Sequence, residues 1–188
     1  MATLSFGKLN TEPALEHPEL LAAPTVAALQ AWAAATPQVR ELVGVGGIDP
    51  SLSDTAALVE AYDLPFDSCV NCVLVAGKRD GVEKVAAVAV RADTRADVNN
   101  VVRRLLDVRK ASFLPMDQAV ADSGMEYGAI TPIGVPAGWR ILIDAGVVGR
   151  GPAIIGAGIR AAKITLPGDL LATLPGAEVI EGLARPVA

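Results

Sequence analysis

Two β-rich runs, Cys69 to Ala76 and Val82 to Arg91, stand either side of Gly77-Lys78-Arg79-Asp80-Gly81. A five-residue connection with glycine at both ends predicts that they fold on each other as a hairpin, which commits the middle of the chain to a sheet. Helical signals flank it. Between Pro24 and Ala35, Val26, Leu29, Trp32 and Ala33 fall at helical spacing and Pro37 closes the pattern. Val43 to Pro50 reads as a short strand entering a turn, and a second helix is expected from Ser53, as N-cap, to Tyr62, with Leu64-Pro65 marking its end. Val98, Val101, Val102 and Leu105 form an amphipathic stripe, with Asp97 at its start and Arg109 and Lys110 beyond its end, the charge order a helix dipole favours.

After an extended piece at Ala111 to Phe113, a short helix from Met116 to Asp122 stops at Gly124, a residue suited to a left-handed cap. Trp139 to Asp144, Ala153 to Ala157 and Ala161 to Leu166 are apolar or β-branched runs divided by glycine turns, and Asp169 to Leu174 suits a last helical turn. No repeat and no low-complexity linker interrupts the 188 residues. The expected fold is a single α+β domain: a curled mixed β-sheet, a partial barrel, with packed helices. Residues 1–40 are set off as an N-terminal helical extension and 41–188 as the principal domain.

A composition 52% hydrophobic and 20% charged argues for a packed core and against disorder. No apolar run approaches the roughly 18 residues that span a bilayer, and the N-terminus lacks a basic region followed by an apolar stretch, so a cytoplasmic protein without membrane contact is expected. The net charge of −5 does not advertise a nucleic-acid binder. Between Arg91 and Lys110, however, six basic residues face three acidic ones, a strip that reads equally as an RNA contact or as a solvated helix face.

Cys69-Val70-Asn71-Cys72 has the spacing of a redox pair or half a zinc site, but it falls inside a strand, where residues three apart point to opposite faces. Two cysteines and one histidine cannot complete a four-ligand zinc site, so the motif reads as structural and no metal is expected. Gly156-Ala157-Gly158-Ile159-Arg160-Ala161 imitates a dinucleotide fingerprint, yet a strand, not a helix, is expected to follow it, and it reads as a tight turn. His17 lies in a proline-flanked segment expected to be irregular and exposed, which removes the usual general base for a serine or cysteine nucleophile.

The stretch from Ser123 to Gly134 combines glycines that let the main chain approach a ligand with Pro132, which fixes its own φ and pushes Thr131 toward an extended conformation. Together with the run from Asp67 to Val75, this loop resembles the YbaK family of aminoacyl-tRNA deacylases, related to the editing domain of bacterial prolyl-tRNA synthetases. The similarity covers roughly Asp49 to Leu174. Such proteins carry a T-G-Y-x-x-G-G-x-S-P-like loop, matched here from Ser123 to Pro132, and an aspartate after the following strand, matched by Asp144; Gly156 and Gly158 resemble the family's A-G region. Two positions depart. The loop's second glycine is Ala129, and Asn71 stands where the family's strand lysine is expected, with Lys78 and Lys84 as candidate substitutes.

The resemblance implies hydrolysis of a mischarged aminoacyl ester at the 3′ end of tRNA, in the service of translation fidelity, without metal, cofactor or covalent enzyme intermediate. Amides of Gly128 and Ala129 would stabilise the oxyanion while water or a substrate group attacks, and Asn71 would orient the ribose or carbonyl. Ile130, Thr131, Pro132 and Asp144 would bind substrate, and Lys78, Lys84, Arg103 and Arg104 are candidate tRNA contacts. The implied partner is aminoacyl-tRNA, with a tRNA synthetase as a second candidate. The alternative is a module that binds aminoacyl-tRNA or a small ligand and has lost turnover.

Overall fold

The computed structural model describes residues 5–187; Met1 to Leu4 of the N-terminal stretch lie outside the described residues. In chain order the elements are β1 (Glu12–Pro13), α1 (Ala23–Ala35), α2 (Val39–Leu42), β2 (Gly44–Gly47), α3 (Thr55–Tyr62), β3 (Val70–Arg79), β4 (Val82–Arg91), β5 (Thr94–Ala96), α4 (Arg103–Leu105) and β6 (Ala111–Phe113). There follow α5 (Met116–Ser123), β7 (Arg140–Asp144), β8 (Pro152–Gly156), β9 (Ala162–Pro167), α6 (Gly168–Leu171), β10 (Ala177–Ile180) and β11 (Ala184–Pro186).

The expected hairpin forms, but tighter than its glycines suggest. Gly77, Lys78 and Arg79 stay in the ladder, with Arg79 opposite Val82, and the turn is only Asp80-Gly81. Both residues take positive φ, 52° and 81°, the mirror-image turn that matches strand twist. Helix α3 begins at Thr55 behind Asp54, not Ser53, because the Ser53 hydroxyl donates instead to the Gly128 carbonyl at 3.4 Å. The amphipathic stripe opens as a π turn over Val98–Val102 before α4: the Val101 and Val102 amides both reach the Asp97 carbonyl, at 3.1 and 3.0 Å. His17 is neither bare nor in an irregular segment. It lies between two 3₁₀ turns with its ring against Glu12 at 2.8 Å and Glu19 at 3.0 Å, and the bond to Glu19 raises its pKa.

The domain is α+β and its strands fall into three sheets. A mixed five-stranded sheet runs β10-β7-β4-β3-β6, parallel across β10, β7 and β4 and antiparallel across β4, β3 and β6. An antiparallel four-stranded sheet runs β1-β2-β9-β8, and β5 pairs with β11. Among the described strands the curl does not close into a barrel.

Strand parity sorts the core. Ala89, Ile141 and Ile143 face Ala153, Ile155, Ile164 and Leu166 of the second sheet, with Leu29 and Trp32 of α1 packed into the same cluster. The alternate residues Ala86, Val88, Val90 and Leu142 meet Val102 and Leu106 on the opposite face. Each fully buried valine, leucine or isoleucine among them contributes about 1.5–3 kcal/mol, and Trp32 also donates through Nε1 to Thr173 Oγ1 at 3.1 Å. No helix among the described residues is long and apolar enough to cross a membrane.

Candidate active site

The two large sheets touch at one parallel bridge, Cys69 to Ile154, and then part. β8 is the last strand of its sheet, and β6 covers β3 only from Val75 to Gly77, so over residues 70–74 the outer edge of β3 has no strand partner. The wedge between these edges is a cavity of about 380 Å³. Residues 69–74 and 154–156 form its walls, residues 53–55 and the Tyr127-Gly128 turn close one side, and Phe113 and Leu114 the other.

The glycine loop is fastened to the β8–β9 turn. The Glu126 amide donates to the Gly158 carbonyl and the Gly158 amide to the Ala129 carbonyl, both at 2.8 Å, while the Glu126 carboxylate accepts from the Arg160 amide at 2.5 Å. The approach is so close that a Cβ on Gly156 would lie 2.3 Å from the Ala129 oxygen. α5 ends as expected at Gly124, with φ 66°. Gly128 has φ 82° and lines the cavity, and among the described residues its N–H and that of Ile130 meet no acceptor.

Four residues expected in the site do other work. The Ala129 amide donates to the Glu126 carbonyl at 3.0 Å and the residue is 1% exposed, so this N–H is taken up inside the turn and is withdrawn as an oxyanion donor. Thr131 and Pro132 are buried beneath the loop and do not line the cavity; Thr131 donates its amide to Met125 Sδ at 3.5 Å. Asp144 is a clamp elsewhere: its two carboxylate oxygens accept from the Gly146 amide at 2.7 Å and the Ala184 amide at 2.9 Å, pinning the turn after β7 and the start of β11.

None of the expected cationic contacts lines the cavity. Lys78 pairs with Glu83 and Lys84 with Asp107, while Arg103 and Arg104 donate to the carbonyls of Asn99 and Asn100. Arg91, counted in the basic strip, is 2% exposed and donates to the carbonyls of Asp67, Gly146 and Val147.

Asn71 does line the cavity. Its Oδ1 accepts from Thr55 Oγ1 at 3.0 Å, which leaves the amide nitrogen as a donor. Sequence reasoning passed over Lys163, which enters from β9 between two cross-strand glycines, Gly46 and Gly156. It is 8% exposed, donates from Nζ to the Ser53 carbonyl at 2.9 Å, and burial lowers its pKa. The signal was a lysine in an otherwise apolar run. Lys163 and Thr165 alternate with Ala162, Ile164 and Leu166 as a solvent-facing pair would, yet Thr165 is wholly buried. Burial also pushes the Cys69 thiol up to about 11 and Cys72 up to about 12, which keeps both protonated at neutral pH.

Arg160 was also missed. Its guanidinium covers Gly128, donating to the Tyr127 and Pro50 carbonyls at 3.4 and 3.1 Å, with Asp54 at 3.9 Å.

No curated protein sequence matches the chain. Among solved structures it is similar to a candidate trans-editing enzyme for prolyl-tRNA synthetase, at 18% identity and TM-score 0.67 over 85% of this chain and 96% of that one. It is also similar to a hypothetical protein, at 17% identity and TM-score 0.70 over 84% and 99% of the two chains. A scaffold from an epitope-grafting design superposes at 19% identity and TM-score 0.66 over 85% and 97%. These likenesses show the fold. Residues 49–174, which hold the wedge and the loop that closes it, match the aminoacyl-tRNA editing domain, and the chain belongs to that family.

Proposed function

We propose that this protein hydrolyses the ester joining a wrongly attached amino acid to the 3′ end of a tRNA, acting in the cytoplasm on tRNA already released by its synthetase. The observation that carries the reading is the Gly128 N–H, without an acceptor among the described residues and held on the cavity wall by a loop hydrogen-bonded to the β8–β9 turn. An aminoacyl ester is already activated. Its carbonyl oxygen, directed at the Gly128 and Ile130 amides, gains charge as water attacks, and one such donor is worth about 2.7–4 kcal/mol. Asn71, aimed by Thr55, orients the ribose hydroxyl beside the ester.

A cavity of about 380 Å³ is small for a ligand site, so it takes the acyl group and ribose and leaves the terminal base outside. Phe113 and Tyr127, exposed by 63% and 58%, stand at that mouth. Stacking on such rings contributes about 1–3 kcal/mol per base. A panel of mischarged tRNAs tests the reading. Hydrolysis of at least one, weakened by substituting Asn71 with leucine, is the expected result; binding without turnover across the panel refutes it and favours a binding module.

A further inference from the structure

Among the described residues that line the cavity, Lys163 carries the only positive charge. An ammonium taken out of water costs several kcal/mol unless it is paired, and no carboxylate among the described residues lies within 4.0 Å of this one. Asp54, the carboxylate on the cavity wall, is turned toward solvent and Arg160. Of three donors on Nζ, only one is used, on the Ser53 carbonyl. Ser53 also donates its hydroxyl to the Gly128 carbonyl, so a single residue ties the ammonium to the turn whose N–H is free. Its cross-strand partners are both glycines, so neither neighbouring strand sets a side chain beside the lysine stem in the ladder.

We propose that Lys163 is a catalytic residue: its ammonium joins the Gly128 N–H in holding the ester carbonyl oxygen and stabilises the negative charge gathered there. This rests on the editing function proposed for the same cavity. The water oxygen bonds to the carbonyl carbon, the π pair moves onto the carbonyl oxygen, and the water's proton passes to the α-amino group of the amino acid. Collapse re-forms the carbonyl and breaks the bond to the ribose oxygen, which takes up that proton. Lys163 keeps its own protons throughout and acts by charge alone.

Single-turnover deacylation at saturating protein, on a mischarged tRNA that the wild type hydrolyses, is measured for Lys163→Met and Lys163→Gln. In parallel, the affinity of an amide-linked aminoacyl-adenosine, which cannot be hydrolysed, is measured. The saturating rate should fall about 10²–10³-fold in both variants, while the affinity of the probe moves by less than about tenfold. In the unsubstituted protein the ¹⁵Nζ signal of Lys163 should shift when the probe is added, a readout that needs no variant to fold. A saturating rate that survives both substitutions, a loss confined to affinity, or an unmoved ¹⁵N signal overturns the role of Lys163 alone. Absence of turnover by the wild type overturns that role together with the editing reading.

Discussion

Replacing Gly128 with alanine tests whether a rigid turn presents the free amide. At φ 82° an L-residue is strained by about 1–2 kcal/mol. The new methyl would also lie 2.5 Å from Arg160 Nη1. That group ends a flexible side chain and can swing away, but it then gives up its bond to the Tyr127 carbonyl, about 0.5–1.5 kcal/mol. The sum is about 1.5–3.5 kcal/mol, and at about 2–4 °C per kcal/mol for a chain of this length the Tm falls by about 3–14 °C. Gly138→Ala is the matched control. Its φ is 90°, nothing lies within 4 Å of the added Cβ, and it does not line the cavity, so strain alone acts there. Scanning calorimetry and single-turnover deacylation are run on both. Displacing the amide by about 1 Å costs about 10²-fold in rate at Gly128, with no comparable loss at Gly138. If Gly128→Ala keeps the wild-type rate and loses no more stability than Gly138→Ala, the turn neither holds nor aims a catalytic donor.

Asp144→Ala should leave the rate per folded molecule unchanged and lower stability by about 3–5 kcal/mol, because two amide bonds to a buried carboxylate are lost; faster hydrogen exchange at Ala184 would show the loosened clamp. Lys163→Met should raise stability at neutral pH by about 1–4 kcal/mol, the range seen when buried charges give way to apolar groups. The folded pKa of Lys163 lies below its ordinary 10.5, so between the two values the unfolded chain binds more protons and wild-type stability rises with pH. Denaturation at a series of pH values should therefore show the variant's advantage in full below the folded pKa and gone above 10.5.

Local rules carried much of the fold. The α5 cap at Gly124, the α1 stripe and the β3–β4 hairpin follow from spacing and turn chemistry within about a dozen residues. The hairpin is tighter than its two flanking glycines imply, because Asp80-Gly81 alone makes the turn and Gly77 serves close packing instead: a Cβ there would lie 2.4 Å from the Lys110 carbonyl. The family was legible in the loop and the strand before it. The roles of single residues were not, because a motif does not say which amides the fold has already engaged. Ala129 and Asp144 satisfy internal bonds that appear only once the β8–β9 turn and β11 are in place. Lys163 and Asn71 stand 92 positions apart, and only the divergence of two sheets sets them around one space.

That divergence works like a caliper. Among the described strands the bridge between Cys69 and Ile154 is the one ladder contact between the two large sheets, so the hydrogen bonds within each sheet do not depend on the width of the gap between them. Under the proposed function, the width of the gap that admits an acyl group would thereby be separate from the turn proposed to act on it. Substitutions beside that bridge would then change which amino acid the proposed enzyme removes, with the Gly128 turn left as it was.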